Sequence, residues 1–112
     1  MLLDTGACET WFPANLAAFF GHNNLHPHVK NGDCNGVGGK SKKYFHSVQT
    51  SLLDPQKTAH ANPVIAWTDK TKSVSFIEKL DANFGLIGMD MMSQWKSVTF
   101  SSTGGLKIQI EI

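Results

Sequence analysis

Leu106, Ile108, Ile110 and Ile112 alternate with Lys107, Gln109 and Glu111. A period of two sends successive side chains to opposite faces, so this stretch specifies a β-strand with one buried and one wetted face. Val98 and Phe100 alternate in the same way just upstream, and Ser101 to Gly105 supplies the turn between the two runs. The rest of the chain is built in the same manner, as short β-prone runs cut by glycine, proline and asparagine.

Thr10, Trp11 and Phe12 form one such run, ended by Pro13. Pro13 suits the first turn of a short helix, whose apolar face is expected from Leu16, Phe19 and Phe20 and whose stop is Gly21. The segment from His22 to Asn35 is polar and reads as an irregular loop. Lys40 to Thr50 reads as a strand with Tyr44, Phe45 and Val48 at its apolar positions, closed by Leu52, Leu53 and Asp54-Pro55. Pro63 to Trp67, a turn at Thr68 to Thr71, and a returning strand with Val74, Phe76 and Ile77 are expected to form a second hairpin. Phe84 to Met92 reads as a buried aliphatic pair ending in glycine, followed by a helix from about Met89. Met91, Met92 and Trp95 give that helix an apolar face.

A chain of 112 residues is one domain. Its 41% hydrophobic and 17% charged content fits a folded globule and not a disordered chain. The net charge of +1 gives no basis for binding nucleic acid or an anionic membrane. No apolar run approaches the roughly 20 residues that span a bilayer. No basic segment followed by an apolar one reads as a signal peptide, so a cytoplasmic location is the default. Cys8 and Cys34 are too few to define a disulfide framework. His22, His26, His28 and Cys34 are of the types that bind zinc, but their spacing fits no finger or ribbon and Pro27 interrupts it, so no metal is expected. Asn35-Gly36-Val37-Gly38-Gly39 has neither the dinucleotide spacing nor the Lys-Ser/Thr ending of a phosphate loop. It reads instead as the tip of a hairpin, and no cofactor is expected.

The stretch that carries chemistry is Leu2-Leu3-Asp4-Thr5-Gly6-Ala7. Two aliphatics carry a carboxylate into the molecule, Thr5 brings a hydroxyl, and Gly6 permits a tight turn. With the Gly-x-Gly-Gly hairpin downstream and Leu86-Ile87-Gly88 before a helix, in that order, the chain resembles the retropepsin-like aspartic proteases. The resemblance covers nearly the whole chain from Leu2 onward.

That resemblance implies a mostly β, acid-protease half-barrel over residues 1–112, with a flap hairpin and one or two short helices. It implies an endopeptidase in which Asp4 activates water. Thr5, Gly6 and Ala7 would complete the active-site loop, and Leu86, Ile87 and Gly88 would support it. Gly36, Val37, Gly38 and Gly39 would close over an extended polypeptide substrate. Asp54, Asp69, Asp81 and Asp90 lack the loop context, and Asp90 reads as a helix-start residue. The second carboxylate of the dyad therefore has to come from another copy, which makes the expected enzyme a homodimer. The alternative is a catalytically inactive protease-like module for dimerisation or peptide binding. The family places strands before the loop, and only Met1, Leu2 and Leu3 stand there in this sequence, so the domain reads as N-terminally truncated, as mis-started, or as a form that compensates with its longer C-terminal hairpin.

Overall fold

Ten short strands and two helical segments make up the described part of the computed structural model, residues 1–36, 39–57, 62–78 and 84–112. The strands are β1 (Leu2–Leu3), β2 (Trp11–Pro13), β3 (Asn31–Gly36), β4 (Gly39–Val48), β5 (Ser51–Leu53), β6 (Ile65–Thr68), β7 (Lys72–Ile77), β8 (Leu86–Ile87), β9 (Ser97–Ser101) and β10 (Lys107–Glu111). A 3-10 helix spans Ala14–Phe20, and a single α-helical turn, α1, spans Met89–Met92. The fold is mostly β, with no closed barrel among the described residues.

Six strands form the main sheet in the order β1-β8-β2-β7-β4-β3. β8 is inserted between β1 and β2, parallel to the first and antiparallel to the second. The strands on either side of the Asp4 loop are thus held apart by a strand that arrives some 80 residues later, the separation of Thr10 from Asp90.

Two apolar clusters stabilise the sheet. In the first, Phe12, Ala14, Ala17, Tyr44 and Val74 surround Phe76, which is fully buried. Phe76 stacks on Phe12 at 5.4 Å, and Phe20 meets it edge-on at 6.0 Å. In the second, Ile87, Met91, Met92 and Trp95 pack with Leu3, Leu52, Trp67, Val98 and Ile110.

The helix after Pro13 forms and ends at Gly21, whose φ of 78° is left-handed, but it buries other residues than expected. A 3-10 helix has three residues per turn, so Ala14, Ala17 and Phe20 align in one row. Ala14 and Ala17 are buried in that row, while Phe19 is 84% exposed and Leu16 only half-buried.

The second hairpin is also paired differently. β6 pairs with β5, through Ser51↔Thr68 and Leu52↔Trp67, and not with β7. Leu52 and Leu53 accordingly belong to β5 and do not extend β4. Val74, Ser75 and Phe76 are buried in succession, which requires cover on both faces. β7 has both edges taken by β2 and β4, and its Val74 and Phe76 enter the first apolar cluster.

The polar segment before Asn35 contributes a strand where a loop was expected. β3 pairs with β4 from Asn31↔Tyr44 to Gly36↔Gly39. As a sheet edge exposed on most positions, it needs backbone pairing and no apolar alternation.

On β4 the buried positions are Tyr44 and His46, with Val48 half-buried; Phe45 lies on the opposite face beneath the Lys43 ammonium, 5.2 Å from the ring centre. The C-terminal hairpin pairs as expected, Val98↔Ile110 and Phe100↔Ile108. Only its base is covered by the core: Phe100 and Ile108 are about half exposed, and Leu106 more so.

His46 is a core histidine. Asn24 donates its amide nitrogen to Ala14 O at 3.0 Å, which turns its oxygen to the His46 Nε2 at 2.7 Å. The imidazole therefore donates from Nε2. His22 stacks on its other side at 4.6 Å. Burial, reinforced by the His22 charge, lowers the His46 pKa from the usual 6.5. The unfolded chain then binds a proton before the folded one does, so this contribution to stability is present above pH 6.5 and lost as pH falls toward the folded value. Thermal denaturation is expected to give a lower Tm at pH 5.5 than at 7.5, and His46→Gln to shrink that difference. An equal difference in both proteins would refute the assignment.

Candidate active site

The loop containing Asp4 is fastened at both ends by backbone bonds. Leu2 N donates to Gly85 O at 2.9 Å and Asp4 N to Ile87 O at 3.0 Å, continuing the parallel pairing of β1 with β8. Leu3 enters the second core cluster, and Asp4 follows, half-buried. Its Oδ1 accepts the Gly6 N–H at 2.8 Å, and its carbonyl accepts the Ala7 N–H at 3.2 Å. The carboxylate thereby closes its own turn, an arrangement short polar side chains favour. Thr5 and Gly6 are exposed and Ala7 is half-buried.

Gly6 does not need a left-handed backbone here, since its φ is not positive. What a side chain would disturb is the carboxylate, because a Cβ on Gly6 would lie 3.2 Å from Asp4 Oδ1.

The far side of the loop docks on α1. Met89 N donates to Ala7 O at 2.8 Å and Asp90 N to Cys8 O at 3.1 Å. Gly88, the residue that caps α1, sits so close that a Cβ would lie 2.6 Å from the Glu9 carbonyl and 2.9 Å from Ala7 O. Leu2-Leu3-Asp4 and Leu86-Ile87-Gly88 are thus brought together from opposite ends of the chain.

A polar network that local pattern did not reveal lies behind the loop. Asp90 is in the first turn of α1, and its Oδ1 accepts the Met91 N–H at 3.0 Å. The same oxygen accepts the Thr10 N–H at 2.9 Å and the Thr10 hydroxyl at 2.7 Å. Thr10 Oγ1 in turn accepts the Gly88 N–H at 3.0 Å. Lys72 Nζ lies 3.3 Å from Asp90 Oδ2 and 2.7 Å from Asp69 Oδ2.

Burial pushes the Asp69 carboxyl up, but bonds from Lys72, Gln94 and the Lys70 N–H, with the Lys72 charge, outweigh it and hold the group below the usual carboxylate value. Burial likewise opposes the Lys72 charge, and Asp69 and Asp90 together raise its pKa nonetheless. The stability these shifts supply is present above pH 3.8 for Asp69 and below pH 10.5 for Lys72, and is lost beyond those values on the acid and alkaline sides respectively.

The remaining carboxylates of the described aspartates are engaged in other ways. Asp33 pairs with Lys40 at 3.4 Å, and Asp54 caps its own turn through Gln56 N and Lys57 N. Asp81 lies outside the described residues. Cys8 and Cys34 are free thiols. His22 is taken up in the stack with His46, and His26 and His28 contact each other at 5.2 Å. Among the described residues no three His, Cys, Asp or Glu side chains gather in a group able to hold a metal.

The glycine-rich hairpin is formed by β3 and β4, and Gly39 takes a left-handed φ of 101°. β7 accompanies β4 from Lys43 to Val48, so among the described residues the distal part of the hairpin has no third strand beside it. Gly36 and Gly39 face each other at its end, while Val37 and Gly38 lie outside the described residues.

No family model, curated protein or solved structure matches the chain. The site therefore stands on its geometry and chemistry: one half-exposed carboxylate on a doubly anchored loop, beside an exposed hydroxyl. A single carboxylate of this kind can act as base toward a water, and needs a protonated acid opposite it to polarise a carbonyl.

Proposed function

We propose that the chain is an aspartic endopeptidase with a retropepsin-like half-barrel fold, active as a homodimer in which each copy supplies one Asp4. The observation that carries this reading is the joining of Leu2-Leu3-Asp4 to Leu86-Ile87-Gly88, which presents a carboxylate on a loop pinned from behind and open in front. In the dimer two such carboxylates share one proton. The ionised one takes a proton from water, and the protonated one polarises the scissile carbonyl. Two carboxylates that close do not both ionise readily, so the pair titrates in two separated steps. Thr5, exposed in the single chain, joins the two loops by hydrogen bonds. The glycine hairpin, Gly36 to Gly39, closes over an extended peptide and pairs with its backbone.

Exposed apolar surface supports the homodimer. Leu2 and Met89 flank the Asp4 loop with half or nearly half of their surface in water, and Phe100 and Ile108 extend the apolar face of the β9–β10 hairpin beyond its covered base. Such a face on a folded chain favours association. Sedimentation of the purified chain is expected to show a dimer, and Phe100→Lys with Ile108→Lys to shift it toward monomer and lower cleavage in parallel. A wild-type chain that stays monomeric at tens of micromolar and still cuts would contradict the shared dyad. A dimer that binds extended peptides but does not hydrolyse them would assign the fold to a peptide-binding module.

A further inference from the structure

Asp69, Lys72 and Asp90 take no part in the proposed dyad, yet they form a chain of charge that ends at the loop bearing it. Asp69, in the connection from β6 to β7, is 2% exposed, and its N–H donates to Thr50 O at 2.8 Å. Its Oδ1 accepts Gln94 Nε2 at 3.1 Å and its Oδ2 faces Lys72 at 2.7 Å. Lys72 passes the link to Asp90, Asp90 to Thr10, and Thr10 to the Gly88 N–H. Gly88 is the residue wedged against Ala7 and Glu9.

Ion pairs of low exposure are a poor source of stability, because desolvation offsets most of the attraction. What they supply is a fixed geometry. Here the geometry is the spacing between α1 and the loop from Asp4 to Thr10.

We propose that the Asp69–Lys72–Asp90 chain is a positioning device for the Asp4 loop, with Lys72 as the positioning residue that keeps Asp90 available to Thr10. Its consequence for cleavage rests on the endopeptidase reading; its consequence for the loop does not. The ionisable members of the network are Asp69 and Asp90, from the β6–β7 connection and α1, and Lys72 at the start of β7; Thr10 and Gln94 are neutral. Without the ammonium, two carboxylates face each other across the gap it filled. At neutral pH both are ionised and repel, which draws Asp90 from Thr10 and loosens Gly88. At lower pH one of the two carboxyls takes up a proton, which removes the repulsion and lets Asp90 return to Thr10. The Lys72→Met protein therefore acquires a pH dependence in the loop beyond any that the wild type shows.

The test is hydrogen exchange of the Thr10 and Gly88 amides together with steady-state cleavage, each at pH 5 and pH 7.5. In Lys72→Met both amides are expected to lose protection at pH 7.5 and regain it at pH 5. kcat is expected to fall about 10- to 100-fold at pH 7.5 with KM little changed, the size of effect that a displacement of about 1 Å produces. Lys72→Arg restores both readouts, and adding Asp69→Asn to Lys72→Met removes the pH dependence. Should Lys72→Met unfold at pH 7.5, Thr10→Val, which keeps the charges paired, is expected to expose the Gly88 amide and lower kcat in the same way. Unchanged Gly88 protection in Thr10→Val, or in a folded Lys72→Met at pH 7.5, overturns the proposal. A wild type that never cleaves would sink the endopeptidase reading alone, since the exchange experiment is independent of activity.

Discussion

Cleavage of an unstructured polypeptide is expected to fall by about a thousandfold or more in Asp4→Asn, within the range that loss of a general acid–base group produces. Asparagine has the shape of aspartate and keeps an oxygen to accept the Gly6 N–H that now bonds Oδ1 at 2.8 Å. The backbone bonds at Asp4 N and O do not depend on the side chain. The fold and the proposed dimer are therefore expected to persist, with circular dichroism and sedimentation unchanged, while hydrolysis at mildly acidic and neutral pH is lost. Mixed dimers of one wild-type chain and one Asp4→Asn chain are expected to be inactive as well, since one carboxylate cannot serve as base and acid together. Equal rates for wild type and variant would remove Asp4 from the chemistry.

The largest expected loss of stability from a single added methyl is at Gly88. A Cβ there would stand 2.6 Å from the Glu9 carbonyl carbon and oxygen and 2.9 Å from Ala7 O, all backbone atoms that no rotamer change can move aside. To relieve the clash, the loop and α1 have to separate, and the bonds from Met89 N to Ala7 O and from Gly88 N to Thr10 Oγ1 go with them. Overpacking typically costs about 1–3 kcal/mol and more where the backbone must shift, so Gly88→Ala is expected to lose at least about 3 kcal/mol. Against a total of about 5–15 kcal/mol this removes roughly a fifth to a half or more of the stability. Chemical denaturation checks it, with Gly104→Ala as the contrast. Gly104 has a left-handed φ of 74° but nothing within 4 Å of its missing Cβ, and it lies in an exposed turn, so its replacement costs only local backbone strain. Similar losses at the two positions would mean that the contact at Gly88 relaxes freely.

What could be read from residues alone was whatever local pattern encodes. The β9–β10 hairpin follows from its alternation and the two glycines of its turn. The pairing of β3 with β4 up to Gly36 and Gly39 follows from clustered glycines, and the break at Gly21 from its place after the Ala14–Phe20 helix. The pairing of β6 was misread because adjacency in sequence favours neighbours, whereas both edges of β7 are already taken by β2 and β4, and β6 pairs with β5. The row of the 3-10 helix was misread because α-helical spacing was applied to a segment with three residues per turn. The Asp69–Lys72–Asp90–Thr10 chain left no periodic trace at all. Its members lie on separate elements, and a carboxylate in the first turn of a helix already had a sufficient local explanation in Asp90. His46 was overlooked for a similar reason: its neighbours Tyr44 and Val48 mark the inward face, and a histidine between them carries no hydrophobic signal.

The insertion of β8 between β1 and β2 also sets a timetable for making the protein. Among the described residues, every anchor of the Asp4 loop outside its own turn comes from Gly85, Ile87, Gly88, Met89 or Asp90. Thr10 and Asp90 are 80 residues apart, which at about 5–20 residues per second of synthesis is a delay of roughly 4 to 16 seconds. During that interval β1 lacks the strand it pairs with, and Leu2 and Leu3 are bare strand edge, the kind of segment that pairs with whatever it meets. The loop is made long before the residues that finish it. Under the proposed mechanism two finished loops are needed, so a nascent chain carries no working dyad until its own α1 has emerged and folded back, and a second copy has done the same.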